Sequence, residues 1–225
     1  MARIQPPKRS GPLTRLALWF AKRQSGGRLP EPFAVQAHSP RLLYGYGALE
    51  MAAMHSHRAP EKLKQLAELK AAALSGCEWC MDFGSWLSTH GGEVSEAQLQ
   101  ELPRFRESDA FDDDEKLVLE YAEHITRTPV EVPDALFERL RERFDEPQLI
   151  ELTYAAALEN MRARFNWGLG IESQGYSEGA VCIRPETPPT EKTAEASSPS
   201  PRSGPRRASA SASARPRPPR RRRPE

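Results

Sequence analysis

The sequence predicts an all-α fold, and three observations carry that expectation. Apolar residues recur at the three-and-four spacing of a helix face in each periodic segment. Capping residues or prolines stand where those segments begin. The one strand-like piece, Ala180 to Ile183, is too short to define a sheet.

Residues 1–12 are polar, basic and proline-containing and read as a flexible N-terminus. Leu13, Leu16, Ala17 and Phe20 share one face of a short helix that runs to Arg23. Gly26, Gly27, Pro30 and Pro32 mark a loop. Ser39 and Pro40 supply a cap and a first helical position for a helix reaching about His57, before Pro60. Pro60-Glu61 opens the next, whose Leu63, Leu66, Ala67, Leu69, Ala73 and Leu74 form a broad apolar face, interrupted at Ser75-Gly76. A helix then starts at Cys77 and ends near Thr89, before Gly91-Gly92. Ser95 with Gln98 is a capping-box pair for a short helix to about Leu102. Negative charge at Asp112–Glu115 suits a helix N-terminus, and Leu117, Leu119, Ala122 and Ile125 carry that helix to about Arg127. Pro133-Asp134 begins another, with Leu136, Phe137, Leu140 and Phe144 on its face. Asp145 with Gln148 caps the last long helix, which ends between Phe165 and Leu169.

The 225 residues carry a net charge of +1, but that total is a near cancellation. Residues 1–182 hold 21 Lys and Arg against 27 Asp and Glu, whereas 183–225 hold 11 against 4. Ten of the 21 prolines lie in 185–225, where nothing larger than Ala is apolar. Such a segment cannot bury enough surface to offset its ordering entropy. The chain therefore divides into a helical domain over 13–182 and a disordered Pro/Ser/Arg-rich tail over 183–225. The cationic stretch Arg215 to Arg223 would be drawn weakly to nucleic acid or an anionic surface, or would act only as a solubilising tail. No apolar run approaches the roughly 20 residues of a membrane span, so no membrane insertion is expected. Leu16 to Ala21 is short, is followed by Lys22 and Arg23, and lacks a signal-peptide cleavage site. Three cysteines cannot build a disulfide scaffold, and a reducing cytoplasm is the natural compartment.

Cys77-Glu78-Trp79-Cys80 is the strongest chemical signal. A two-residue spacer across the first turn of a helix brings two sulfurs within bridging reach. Unpaired backbone N–H groups and the positive end of the helix dipole favour thiolate there. Glu78 works in the opposite sense, since a nearby like charge raises a thiol pKa. The thiolate is the nucleophile, and the second cysteine closes the disulfide. Two bland readings stand beside redox use. The pair is half a zinc site, which His55, His57 or His90 would have to complete; or it is simply two buried structural cysteines. Cys182 reads as an incidental surface thiol, His38 as local, His124 as a solvated helix-face residue and His90 as a C-terminal helix residue. No cofactor and no metal are expected.

The stretch Leu63–Gly92, LKQLAELKAAALSGCEWCMDFGSWLSTHGG, resembles the core of the carboxymuconolactone decarboxylase and AhpD-like alkylhydroperoxidase family. The tracts 34–50, 114–126, 132–144 and 148–177, ending in EN-x3-RFN, are similar to its flanking helices, so the resemblance spans about 30–178. It implies an all-helical fold, a homo-oligomer such as a trimer or hexamer, and thiol-dependent peroxidase chemistry. In that chemistry Cys80 attacks the peroxide and Cys77 resolves, with an unidentified thiol reductant regenerating the pair. The chain departs from the pattern at three positions. The family glutamate twelve residues before the first cysteine is Gln65, the histidine four after the second is Gly84, and the histidine some members place inside the motif is Trp79. Gln65 cannot take a proton and Gly84 has no side chain, so the glutamate–histidine relay is absent. Glu68, one turn from Gln65, is the candidate substitute, or else an exposed charge paired with Lys64. Trp79, Trp86 and Trp167 read as architectural. Asn160, Arg164 and Asn166 read as contacts between helices or subunits, with Arg164 a possible anchor for an anionic substrate.

The expected function is thus a thiol-redox enzyme using Cys77, Cys80 and Glu68 on a peroxide, a disulfide partner or another small molecule. Two rivals remain open: a non-redox lactone decarboxylase-like enzyme relying on Glu68 or His90, and a binding protein that kept the fold without the chemistry.

Overall fold

The computed structural model describes residues 2–186. Among them all regular structure is helical: α1 (Pro12–Gln24), α2 (Glu31–Gln36), α3 (Pro40–Met54), α4 (Glu61–Ser75), α5 (Glu78–Thr89), α6 (Glu96–Glu101), α7 (Asp113–Thr126), α8 (Asp134–Arg143) and α9 (Glu146–Leu169). A 3-10 turn, Leu102–Arg104, follows α6. Capping boxes form at Ser95/Gln98, Asp112/Glu115 and Asp145/Gln148, satisfying N–H groups that a helix start leaves bare. No described helix is long and apolar enough to cross a membrane.

Helix α4 is the centre of the packing, held against α9, α7 and α5. Its Leu66, Ala71 and Ala73 are fully buried, and the run of alanines lets neighbouring helices approach closely. Gly76 ends α4 at φ +63, a left-handed conformation that glycine adopts without a side-chain clash. The chain turns there and Cys77 caps α5 directly. At the heart of the core lies a charge. Lys70 is fully buried, 2.9 Å from Glu123 and 2.6 Å from Glu186, above the ring of Phe105. A buried ammonium persists only when paired and hydrogen-bonded, and two carboxylates meet that need.

The structure moves several sequence boundaries. Residues 31–36 form a helix where a loop was expected: Pro32 is tolerated in a first turn, and buried Ala34 and Val35 anchor it. Helix α3 stops at Met54, three residues short of His57. No strand forms at 180–183. The body continues past 182, because Ile183 is buried with its N–H on Ser85 Oγ, and Glu186 donates its N–H to Ala73 O while its carboxylate holds Lys70. At the other end Ala2 is buried and Arg3 donates its N–H to Leu169 O at 2.7 Å, so these residues dock onto the end of α9 rather than hanging loose. The rest of the expected disordered tail, including Arg215 to Arg223, lies outside the described residues.

Candidate active site

Cys77 and Cys80 are bridged, with Cα atoms 5.2 Å apart and both residues buried. Cys77 is the N-cap of α5, and its Sγ accepts the backbone N–H of Cys80 at 3.3 Å. Asn166, from the last turns of α9, points its Nδ2 at both sulfurs from 3.5 Å. Asn166 is 1% exposed, and its Oδ1 makes no hydrogen bond among the described residues. The pair is thus held by a helix start on one side and a buried amide on the other.

The first turns of α5 are fixed by their remaining side chains. Trp79 donates its indole N–H to Gln174 Oε1 at 2.8 Å and stacks on Phe83, against whose ring Tyr176 packs edge-on. Asp82, two residues after Cys80, accepts from the backbone N–H groups of Gln174, Tyr176 and Ser177 and from the hydroxyls of Ser173 and Ser177. Burial alone would raise this carboxyl, but those donors outweigh it and hold Asp82 below the usual carboxylate range.

A cavity of about 660 Å³ opens beside the motif, a size suited to a small organic molecule. Cys80 lines it, together with Trp79, Phe83 and Gly84 of α5 and Glu68 and Leu69 of α4. Cys77 does not. On the same wall Arg162 is gripped by three carboxylates: Glu50 of α3 at 2.9 and 2.6 Å, Glu68 at 3.0 Å and Glu159 at 2.9 Å. Three acids around one guanidinium leave excess negative charge where water is scarce. Burial, with the push of Glu68 and Glu50, lifts Glu159 to about 7 against the pull of Arg162. Burial likewise raises Glu68, and it lifts Tyr46, which also borders Glu50, well above 10. Glu159 Oε1 has no hydrogen-bond partner among the described residues. An acid that titrates near neutrality in an apolar cavity can both accept and return a proton.

The positions singled out in the sequence divide between this site and other parts of the chain. Glu68 faces Arg162, not Lys64; Lys64 turns instead to Glu61 at 2.8 Å and Ser56 O at 2.6 Å. Gln65 borders the cavity too, and its Oε1 receives the N–H of Glu93, so it serves the turn after α5. A Cβ at Gly84 would stand 3.0 Å from Leu69 Cδ2, so a larger residue there has to displace that leucine. His90 caps α5 through Nδ1 on Trp86 O, His55 bonds Met51 O, His38 bonds Gln5 O and His124 bonds Glu131 O. No group of three metal-ligating side chains converges among the described residues. Trp167 donates to Ser75 O and Asn160 bridges to Thr126, joining α9 to α4 and α7, whereas Arg164 folds back onto Asn160 within α9. Cys182 is free and exposed. Sequence reasoning missed Glu50, Glu159, Arg162 and Tyr46. One signal was available: Glu159 sits on the α9 stripe of Leu152, Ala155, Ala156 and Ala163, where a charge needs a buried partner.

Residues 40–124 match the model of the carboxymuconolactone decarboxylase family. The chain is 37% identical over 124 residues to the uncharacterised protein YnjA of Escherichia coli (strain K12), a match covering 55% of this chain and 65% of the relative. It is 32% identical over 108 residues to the uncharacterised protein YdfG of Bacillus subtilis (strain 168), covering 48% and 73%. Its fold resembles the debrominase Bmp8, solved with 2,3,4-tribromopyrrole, at a TM-score of 0.69 and 20% identity over 77% of this chain and 92% of that one. It also resembles ATU0492 of Agrobacterium tumefaciens, a protein of unknown function described as a putative antioxidant defence protein AhpD, at 0.58 and 25% over 61% and 94%. The cysteine pair at a helix start, the all-helical frame around it and these matches lead to one assignment: the chain belongs to the carboxymuconolactone decarboxylase family, with an AhpD-like fold.

Proposed function

We propose that the protein is a thiol-dependent oxidoreductase whose Cys77–Cys80 pair cycles between dithiol and disulfide to reduce a peroxide or a disulfide partner. The observation that carries this reading is that Cys80, in the first turn of α5 and bridged to its N-cap Cys77, lines a cavity that also holds Glu159, a carboxyl lifted to about 7 by burial. Glu68 and Glu159 take the place of the family relay lost at Gln65 and Gly84. With a peroxide, the Cys80 proton passes to a cavity carboxylate and the thiolate attacks the outer oxygen. The O–O bond breaks, Cys80 becomes a sulfenic acid, and the leaving alkoxide recovers the proton as an alcohol. Cys77, the thiolate favoured by the N–H of Cys80, then attacks the sulfenic sulfur and forms the disulfide, and the expelled hydroxide takes up the proton Cys77 gave up and leaves as water. A thiol reductant supplies two electrons to reopen it. The exposed Leu13, Leu16 and Trp19 of α1 support the homo-oligomer that the family resemblance implies.

Stopped-flow peroxide addition to the anaerobically reduced protein tests the reading. Cys80→Ser is expected to lose peroxide consumption by about 10⁴-fold or more, as removal of a nucleophile does. Cys77→Ser should retain one fast turnover and stop at the sulfenic acid. Wild-type rates in both variants would end the proposal. Glu159→Gln should slow the reaction about 10²-fold and remove the rising limb of the rate profile near pH 7. An unchanged profile would remove Glu159 from the proton path.

One observation favours a second reading. An acid held near neutrality in an apolar cavity also suits non-redox acid–base chemistry, such as decarboxylation of a lactone. Turnover of a muconolactone by the double Cys→Ser variant would select it.

A further inference from the structure

The buried amide of Asn166 has a donor aimed at both sulfurs and an acceptor that the oxidised protein leaves unused. A disulfide is a weak acceptor and has no proton to give. The Asn166 Oδ1 makes no hydrogen bond among the described residues in the bridged form, so Nδ2 is the end of the amide that engages the pair. Cys77 Sγ also receives the Cys80 N–H, and Asn166 is closed off from water. Leaving a buried acceptor unpaired is unfavourable, whereas pairing a donor with a thiolate gives a charge-assisted bond.

The acceptor facing that donor changes on reduction. The disulfide takes two electrons and one proton and becomes one thiolate and one thiol. The thiolate, whichever sulfur carries it, accepts from Nδ2, which already lies 3.5 Å from both. The same buried N–H group thus meets only a weak, neutral acceptor in the disulfide and a charged one in the singly protonated dithiol. We propose that Asn166 is a positioning residue that favours the reduced, singly protonated form of the Cys77/Cys80 pair, raising its reduction potential and lowering the pKa of its first thiol. It acts on the sulfurs and not on the substrate. The inference rests on the thiol-redox reading above and deepens it.

The experiment uses the full chain equilibrated in glutathione redox buffers, with the dithiol fraction read by alkylation. The thiolate is followed separately by its ultraviolet absorbance against pH. Asn166→Leu removes both polar ends at similar size. It is expected to shift the dithiol–disulfide equilibrium towards disulfide at least tenfold, which corresponds to about 30 mV for this two-electron couple, and to raise the first thiol pKa. Asn166→Asp provides a second arm should the leucine variant fail to fold. Its carboxylate keeps the acceptor but repels a thiolate, so the first thiol pKa should rise further than in Asn166→Leu. A folded variant whose equilibrium stays within threefold of wild type, with its thiol pKa unmoved, overturns the inference while leaving the redox reading standing. A wild-type pair that never exchanges with glutathione overturns both.

Discussion

Arg162→Met should destabilise the protein by about 3–5 kcal/mol at neutral pH, the range for stripping one partner from a buried ion pair. The guanidinium answers Glu50, Glu68 and Glu159 at once. Its removal leaves three acids facing one another beside an apolar cavity. The loss should depend on pH, and its sign follows from proton counting. Glu159 is lifted to about 7 by burial even with Arg162 present, and Glu68 is raised in the same way. Between their ordinary value and these folded values, the folded protein binds more protons than the unfolded chain. Stability therefore falls as pH rises through that window. Without the guanidinium the carboxyls rise further and the fall steepens. Urea melts at pH 5 and pH 8 check this: the deficit of Arg162→Met should be smaller at pH 5. An equal deficit at both values would mean that the carboxylates are not what the arginine balances.

Asp82→Ala is the second large effect, expected at about 3 kcal/mol or more. Three backbone N–H groups and two hydroxyls between Ser173 and Ser177 converge on one buried carboxylate. Each buried donor left without an acceptor costs about 1–3 kcal/mol, though relaxation of the segment recovers part. The segment carries Gln174, which holds the Trp79 indole, and Tyr176, which packs on Phe83. Its release should therefore loosen the cavity wall beside Cys80 as well as the fold. The pH dependence runs opposite to that of Glu159. Asp82 is held below its ordinary value, so its contribution is complete above the unfolded carboxylate range and disappears as acid protonates the folded carboxyl. Thermal melts of wild type and Asp82→Ala should converge in acid. Backbone exchange at Gln174, Tyr176 and Ser177 should rise in the variant even where the melt is little changed.

These two sites also mark what the sequence could and could not convey. Helices α1 and α3 to α9 were legible because their information is local: apolar spacing, three capping boxes, prolines at starts and glycine at the end of α4. The cysteine pair was legible for the same reason, since its two sulfurs and its helix start lie within one turn. Helix α2 was not, because six residues beside two prolines carry too little periodicity to stand apart from a loop. The charge cluster was half legible. Glu68 was found through its spacing from Gln65, but its partner on α9 is 94 residues away and the nearer Lys64 looked sufficient. Asp82 gave no signal at all, as an acid in the middle of α5 looks like any solvent-facing charge until the chain returns at 173–177. Long-range polar closure is decided by packing, and a local pattern does not encode it.

The sealed position of Lys70 turns that residue into a natural clock. Its amine meets Glu123 and Glu186 in a space closed to solvent, so an acylating reagent reaches it only while the core is open. Exposed lysines such as Lys8 and Lys22 acylate at the pace of free amines, and the lag of Lys70 behind them, read by peptide mass, measures how often the whole domain breathes.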